Sequence, residues 1–149
     1  MQLLISYHNK QVLMKRQLKG GNMDRRIVIV DDEKDFLEEI NEMLELSGYS
    51  TVAYSKGEDL LENVDELNPD LILLDLKMSG KTGFQVAEEL RSKKHLNDVP
   101  IIAMTGYFTE EEYLFLMRTC GIQECLTKPV QPLEIISLIE KMLGKTVEK

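Results

Sequence analysis

Five short apolar runs recur along the chain, each followed by a stretch whose hydrophobic residues have helical spacing. The runs are RIVIV (26–30), STVAYS (50–55), DLILLD (70–75), PIIAMT (100–105) and ECLT (124–127). After the first, Phe36, Ile40, Met43 and Leu44 fall on one helical face, and Ser47-Gly48 is a good stop. Further helices are expected over 57–67, ending before Pro69, then over 83–93, 110–119 and 132–144. The last opens on Pro132 and closes on Gly144. Continuous rather than alternating apolar runs belong to strands buried on both faces, so the pattern calls for a parallel sheet covered by helices on both sides. Right-handed crossovers leave only a few doubly wound topologies, among them the order 2-1-3-4-5.

One domain accounts for this pattern, since 149 residues at 43% hydrophobic supply a full core. KGGNMD (19–24) breaks any helix and divides a basic extension, 1–24, expected to be flexible, from a regular domain over 25–144 and a tail over 145–149. The first 22 residues hold Lys10, Lys15, Arg16, Lys19 and no acid, so the remainder must carry −12 to reach the overall −8. A body this acidic repels nucleic-acid phosphates, which argues against direct nucleic-acid binding. No stretch approaches the ~18 consecutive apolar residues of a membrane span. Cys120 and Cys125 are too few for a disulfide framework and read as two thiols in a reducing, cytoplasmic compartment. His8 and His95 have no Cys/His cluster around them to make a zinc site.

In doubly wound sheets ligands bind beyond the carboxyl ends of the strands, where the strand order switches direction. The first strand ends on Asp31 and Asp32, the third on Asp75, the fourth on Thr105, and the fifth on Lys128-Pro129. In the order 2-1-3-4-5 these tips converge on one pocket. Adjacent carboxylates raise each other's pKa unless something neutralises them. Three of them invite a hard cation with oxygen ligands, and Mg²⁺ suits one or two carboxylates plus waters and a phosphate. Asp75 is then a candidate carboxylate nucleophile toward phosphorus, with Lys128 and the Thr105 hydroxyl stabilising the transferred group. Phe36, Ile40, Leu44 and Met78 read as packing.

VDDE (30–33), LILLDLKMSGKTG (71–83), MTG (104–106) and LTKP (126–129) occur in order, each at a strand end. Together they resemble the receiver domains of two-component response regulators, over about residues 25–144. The resemblance implies a flavodoxin-like fold, and a switch that catalyses only its own phosphorylation and dephosphorylation. Asp75 would be the phosphoacceptor, charged by a histidine kinase, a phosphotransfer protein or a small phosphodonor. Asp32, Asp75 and the Lys77 backbone carbonyl would ligate Mg²⁺, with Asp31 acting through water. Thr105 and Lys128 would contact the phosphoryl oxygens, and Lys128-Pro129 would be a cis peptide. Output would pass to a downstream protein target through a stand-alone receiver, with dimerisation permitted by Leu138, off the main Ile135/Ile139/Met142 face.

Two departures from the family pattern matter. Ser79 and Thr82 stand where Pro and Asp are more common, so a looser loop is expected after the third strand. Cys125 stands where the family usually has Tyr or Phe as a rotating readout, and Tyr107 is the nearest aromatic able to replace it. Lys77 and Tyr107 also flank the path of water to the acyl phosphate in receivers. Three rival functions fit the sequence less well. A phosphohydrolase of the haloacid-dehalogenase type needs an acid where Lys77 stands. A flavodoxin-like binder needs a glycine- and hydroxyl-rich loop where DDEKD stands. A receiver-like interaction module that is never phosphorylated would not need so complete a pocket.

Overall fold

The computed structural model describes residues 25–106 and 111–144, apart from the side chains of residues 112, 113 and 116. The extension 1–24, the tail 145–149 and Tyr107 lie outside the described residues. The elements are β1 (Arg26–Val30), α1 (Lys34–Leu46), β2 (Ser50–Tyr54), α2 (Gly57–Leu67), β3 (Leu71–Asp75), α3 (Gly83–Arg91), a 3-10 turn (Lys94–Leu96), β4 (Ile101–Thr105), α4 (Glu111–Thr119), β5 (Glu124–Thr127) and α5 (Pro132–Met142). All strand pairs are parallel, and the order is β2-β1-β3-β4-β5, as expected.

Alternate strand residues feed two separate cores, because successive side chains point to opposite faces of a sheet. Val28, Val30, Ile72, Leu74, Ile101 and Ala103 face α2, α3 and α4 through Leu60, Val64, Val86, Leu90 and Met117. Ile27, Ile29, Leu71, Leu73, Ile102 and Met104 face α1 and α5 through Leu37, Ile40, Leu44, Ile135 and Ile139. Each such aliphatic side chain contributes about 1.5–3 kcal/mol by leaving water. Burial on both faces is what the unbroken apolar runs require. Met78 is in the first core, as expected of a packing residue, and Cys120 is buried there too.

The differences from expectation are local. The buried face of α1 centres on Leu37, Ile40 and Leu44, leaving Phe36 and Met43 half-buried at its edge. Helix α3 stops at Arg91, two residues early, and a 3-10 turn follows that buries Leu96. Arg91 holds that corner by donating to the carbonyls of Leu96, Asn97 and Gly121 and to Gln123 Oε1. Helix α5 ends at Met142, and Leu138 packs half-buried against the second core. Leu133, 79% exposed, is instead the most exposed large apolar side chain among the described residues. No described helix is long and apolar enough to cross a membrane.

Candidate functional site

The chain switches direction between β1 and β3, and the acids stand there. The Asp31 N–H continues the ladder by donating to the Tyr54 carbonyl (3.1 Å), which seats its side chain inside the fold with no exposed surface. Asp31 Oδ1 accepts the Glu33 N–H at 2.9 Å, and Oδ2 accepts the Lys128 ammonium at 2.6 Å. Asp32, one residue on, is exposed and accepts the Ser79 N–H at 3.2 Å. Asp75 ends β3, is buried, and accepts the Lys77 N–H at 3.3 Å. One carboxylate oxygen from each of the three acids lies within 4.8 Å of the others.

Lys128 reaches this cluster from the end of β5. Its N–H donates to the Thr105 carbonyl at 2.7 Å, joining the tips of β4 and β5, and its bond to Pro129 is cis. Thr105 is buried one residue beyond the position paired with Asp75. The ammonium is 3.8 Å from Asp75 Oδ2 and 3.9 Å from Glu33 Oε1, and 4.4 Å from the centre of the Phe36 ring. One nearby cation thus serves several acids. Burial first, then the charge of Asp31, pushes the Asp75 carboxyl up to about 7, against the pull of Lys128 and the Lys77 N–H. Oxygen donors crowded in this way have the chemistry of a hard-cation site, and Mg²⁺ fits the donor set.

The loop from β3 to α3 is not loose. Ser79 is tied to Asp32, the Lys81 N–H donates to Glu58 Oε2 (3.4 Å), and Thr82 and Gln85 form a reciprocal capping box. Thr is a somewhat weaker cap than Asp, but the reciprocal bond with Gln85 completes the capping box, so the departure in sequence leaves the local structure intact. Gly83 closes the loop onto the site. A Cβ there would press into the Asp75 carbonyl oxygen and Leu76 Cα.

Asp31, Asp32, Asp75 and Lys128 lie together at the strand ends, and Thr105 adjoins them through its backbone carbonyl. Glu33 and Phe36, at the start of α1, were not read as neighbours of the lysine. Their signal was the i, i+3 spacing, which puts both on one side of the first turn. Cys125 is half-buried at the edge of a groove of about 340 Å³ between β5 and α5, and burial raises its thiol pKa.

A doubly wound parallel sheet with an acidic cluster at its switch point narrows the class, and comparison with known proteins gives the family. The model for the response regulator receiver domain matches residues 27–140, and the chain belongs to that family. It is 31% identical over 123 residues to the phosphate regulon transcriptional regulatory protein PhoB of Escherichia coli, covering 83% of this chain and 53% of PhoB. The chain therefore spans about half the length of that relative. It is 29% identical over 124 residues to the polar-differentiation response regulator DivK of Brucella ovis, covering 82% of this chain and 98% of DivK. In structure it is similar to the chemotaxis protein CheY4 of Vibrio cholerae, with TM-score 0.77 and 21% identity over 80% of this chain and 98% of that one, a likeness of fold. Residues 27–140 are thus a response regulator receiver domain.

Proposed function

We propose that Asp75 is the phosphoacceptor and that the whole site works as a Mg²⁺-dependent switch. An Asp75 carboxylate oxygen attacks the phosphorus of a phosphohistidine on a histidine kinase or phosphotransfer protein, or of a small acyl phosphate. The new P–O bond forms as the donor's P–N or P–O bond breaks, and the imidazole or carboxylate leaves with the electron pair. Asp31, Asp32, Asp75 and the Lys77 carbonyl would hold Mg²⁺, which supplies the positive charge that lets these acids stay ionised together and offsets charge on the phosphoryl oxygens. Lys128 and the Thr105 hydroxyl contact those oxygens. What supports this reading is the triad of acids within 4.8 Å of one another, with the Lys128 ammonium 2.6 Å from Asp31.

The regular domain over 25–144 is the receiver, working in the cytoplasm and passing its signal by protein contact rather than by binding nucleic acid itself. Mass measurement after exposure to acetyl phosphate and Mg²⁺ tests the chemistry. One phosphoryl group should be gained by the wild type and none by Asp75→Asn; undiminished labelling of the variant refutes the assignment. Tyr107 serves as the readout in place of the missing aromatic at Cys125. With beryllofluoride as phosphoryl mimic, Tyr107→Ala should blunt the change in hydrogen exchange over 111–120 and Cys125→Ala should not. The reverse pattern refutes that role.

A further inference from the structure

We propose that Phe36 is a positioning residue for Lys128, its ring face forming the wall that keeps the ammonium aimed at the phosphoryl site. The inference rests on the reading of Lys128 as a phosphoryl contact. A lysine is a point charge on a flexible four-carbon stem, so its own chain does not fix where the charge sits. Around Lys128 the other directions are taken by acids. Asp31 holds one proton in a 2.6 Å hydrogen bond, while Asp75 at 3.8 Å and Glu33 at 3.9 Å attract at longer range. Glu33 is exposed and pulls the charge outward.

Phe36 supplies a contact of a different kind. Its ring centre is 4.4 Å from Nζ, well inside the ~6 Å reach of an aromatic face for a cation. A ring face attracts the charge without accepting a directed hydrogen bond. It therefore holds the ammonium in place yet leaves its protons free to move from Asp31 to an arriving phosphoryl oxygen. An aliphatic side chain would cover the same surface without that pull, and an acid would compete with the phosphoryl group. The position suits the role. Phe36 lies in the first turn of α1, beside the end of β1, and is half-buried at the edge of the core rather than in its centre.

Two measurements test the proposal. Ring current from Phe36 should shift the Lys128 ε-methylene protons upfield in the NMR spectrum of specifically labelled protein, a shift retained in Phe36→Tyr, which shows that the ammonium stem lies over the ring face in solution. The initial rate of phosphorylation by acetyl phosphate at saturating Mg²⁺ should fall roughly three- to thirtyfold in Phe36→Leu, the range of a cation–π contact. Phe36→Tyr, which keeps the ring face, should recover most of the rate. In a Lys128→Ala background, Phe36→Leu should cause no further loss, because the two residues act as one unit. Additive losses, a wild-type rate in Phe36→Leu, or an absent ring-current shift overturns the positioning role while a slow Lys128→Ala leaves the reading of Lys128 intact. A wild-type rate in Lys128→Ala overturns that reading and the positioning role with it.

Discussion

The Lys128 ammonium sits 2.6 Å from Asp31 Oδ2 but 3.8 Å from Asp75 Oδ2, so the tightest ion pair of the site is made with the acid that is not the proposed nucleophile. Asp75 is left buried among like charges with only distant compensation. After burial itself, Asp31 is the largest contributor to its raised pKa. Asp31→Asn removes that charge and releases Lys128 toward Asp75, and both effects favour the Asp75 carboxylate. The carboxyl ¹³C titration of Asp75 should therefore move to lower pH in Asp31→Asn. An unmoved midpoint would show that the pair does not set the acidity of Asp75.

The same raised pKa predicts how stability follows pH. Asp75 titrates at about 7 when folded against an ordinary 3.8, so between these values the native state holds a proton that the unfolded chain has released. Its contribution is intact below about pH 4, is lost as pH rises, and stays lost above about 7. Without metal, Asp75→Asn should match the wild type near pH 4 and melt several degrees higher at pH 8, since about 1 kcal/mol moves Tm by ~2–4 °C in a domain of this size. Millimolar Mg²⁺ should raise the wild-type Tm at pH 8 by binding the native state, and should hardly affect the variant. Parallel melting curves across this range would contradict the assigned acidity.

Gly83 tests how closely the loop must pack on the nucleophile. A methyl group there meets backbone rather than a yielding side chain, so Gly83→Ala must displace either the α3 terminus or the end of β3 that carries Asp75. Slower phosphorylation and a lower Tm should appear together. Gly48 is a useful contrast, at φ +99 with open space around it. Gly48→Ala should cost about 1 kcal/mol through its left-handed backbone and leave the rate alone. Equal rates in the two variants would mean that the loop tolerates the displacement.

The fold was legible because burial on both faces writes the central strands β1, β3 and β4 as apolar runs, and the site was legible because its chemistry sits where the strands stop. Asp31, Asp75, Thr105 and Lys128 each mark such a boundary. Phe36 was not legible in the same way. An aromatic at helical spacing from Ile40 and Leu44 reads as core, and only the folded chain brings the first turn of α1 over the end of β5. Nor does helical periodicity say what lies across from a face: Leu138, off the main face of α5, packs against the second core, and Leu133 stands exposed. The loop after Asp75 misled for a related reason. Its anchors, Asp32 and Glu58, are contributed by elements distant in sequence.

Arg91 allows stability to be separated from chemistry. Its guanidinium, partly shielded from water with its pKa lowered by burial, donates to three carbonyls and one side-chain amide, tying the end of α3 to the turn between α4 and β5. Because the strands are parallel, this clamp lies at the amino ends of β4 and β5, opposite the acidic site at their carboxyl ends. Gly121, at φ +78, offers its carbonyl to two of the guanidinium nitrogens, a fork that a lysine cannot reproduce. Arg91→Met should cost about 2–3 kcal/mol through the lost charge-assisted hydrogen bonds, and Arg91→Lys should recover less than half of that. Hydrogen exchange should accelerate at 119–123, with the initial rate of phosphorylation of the folded variant staying within about twofold of wild type. A fall in phosphorylation as large as that in Lys128→Ala would mean that the two ends of the strands are coupled, and that the clamp belongs to the switch rather than to the scaffold.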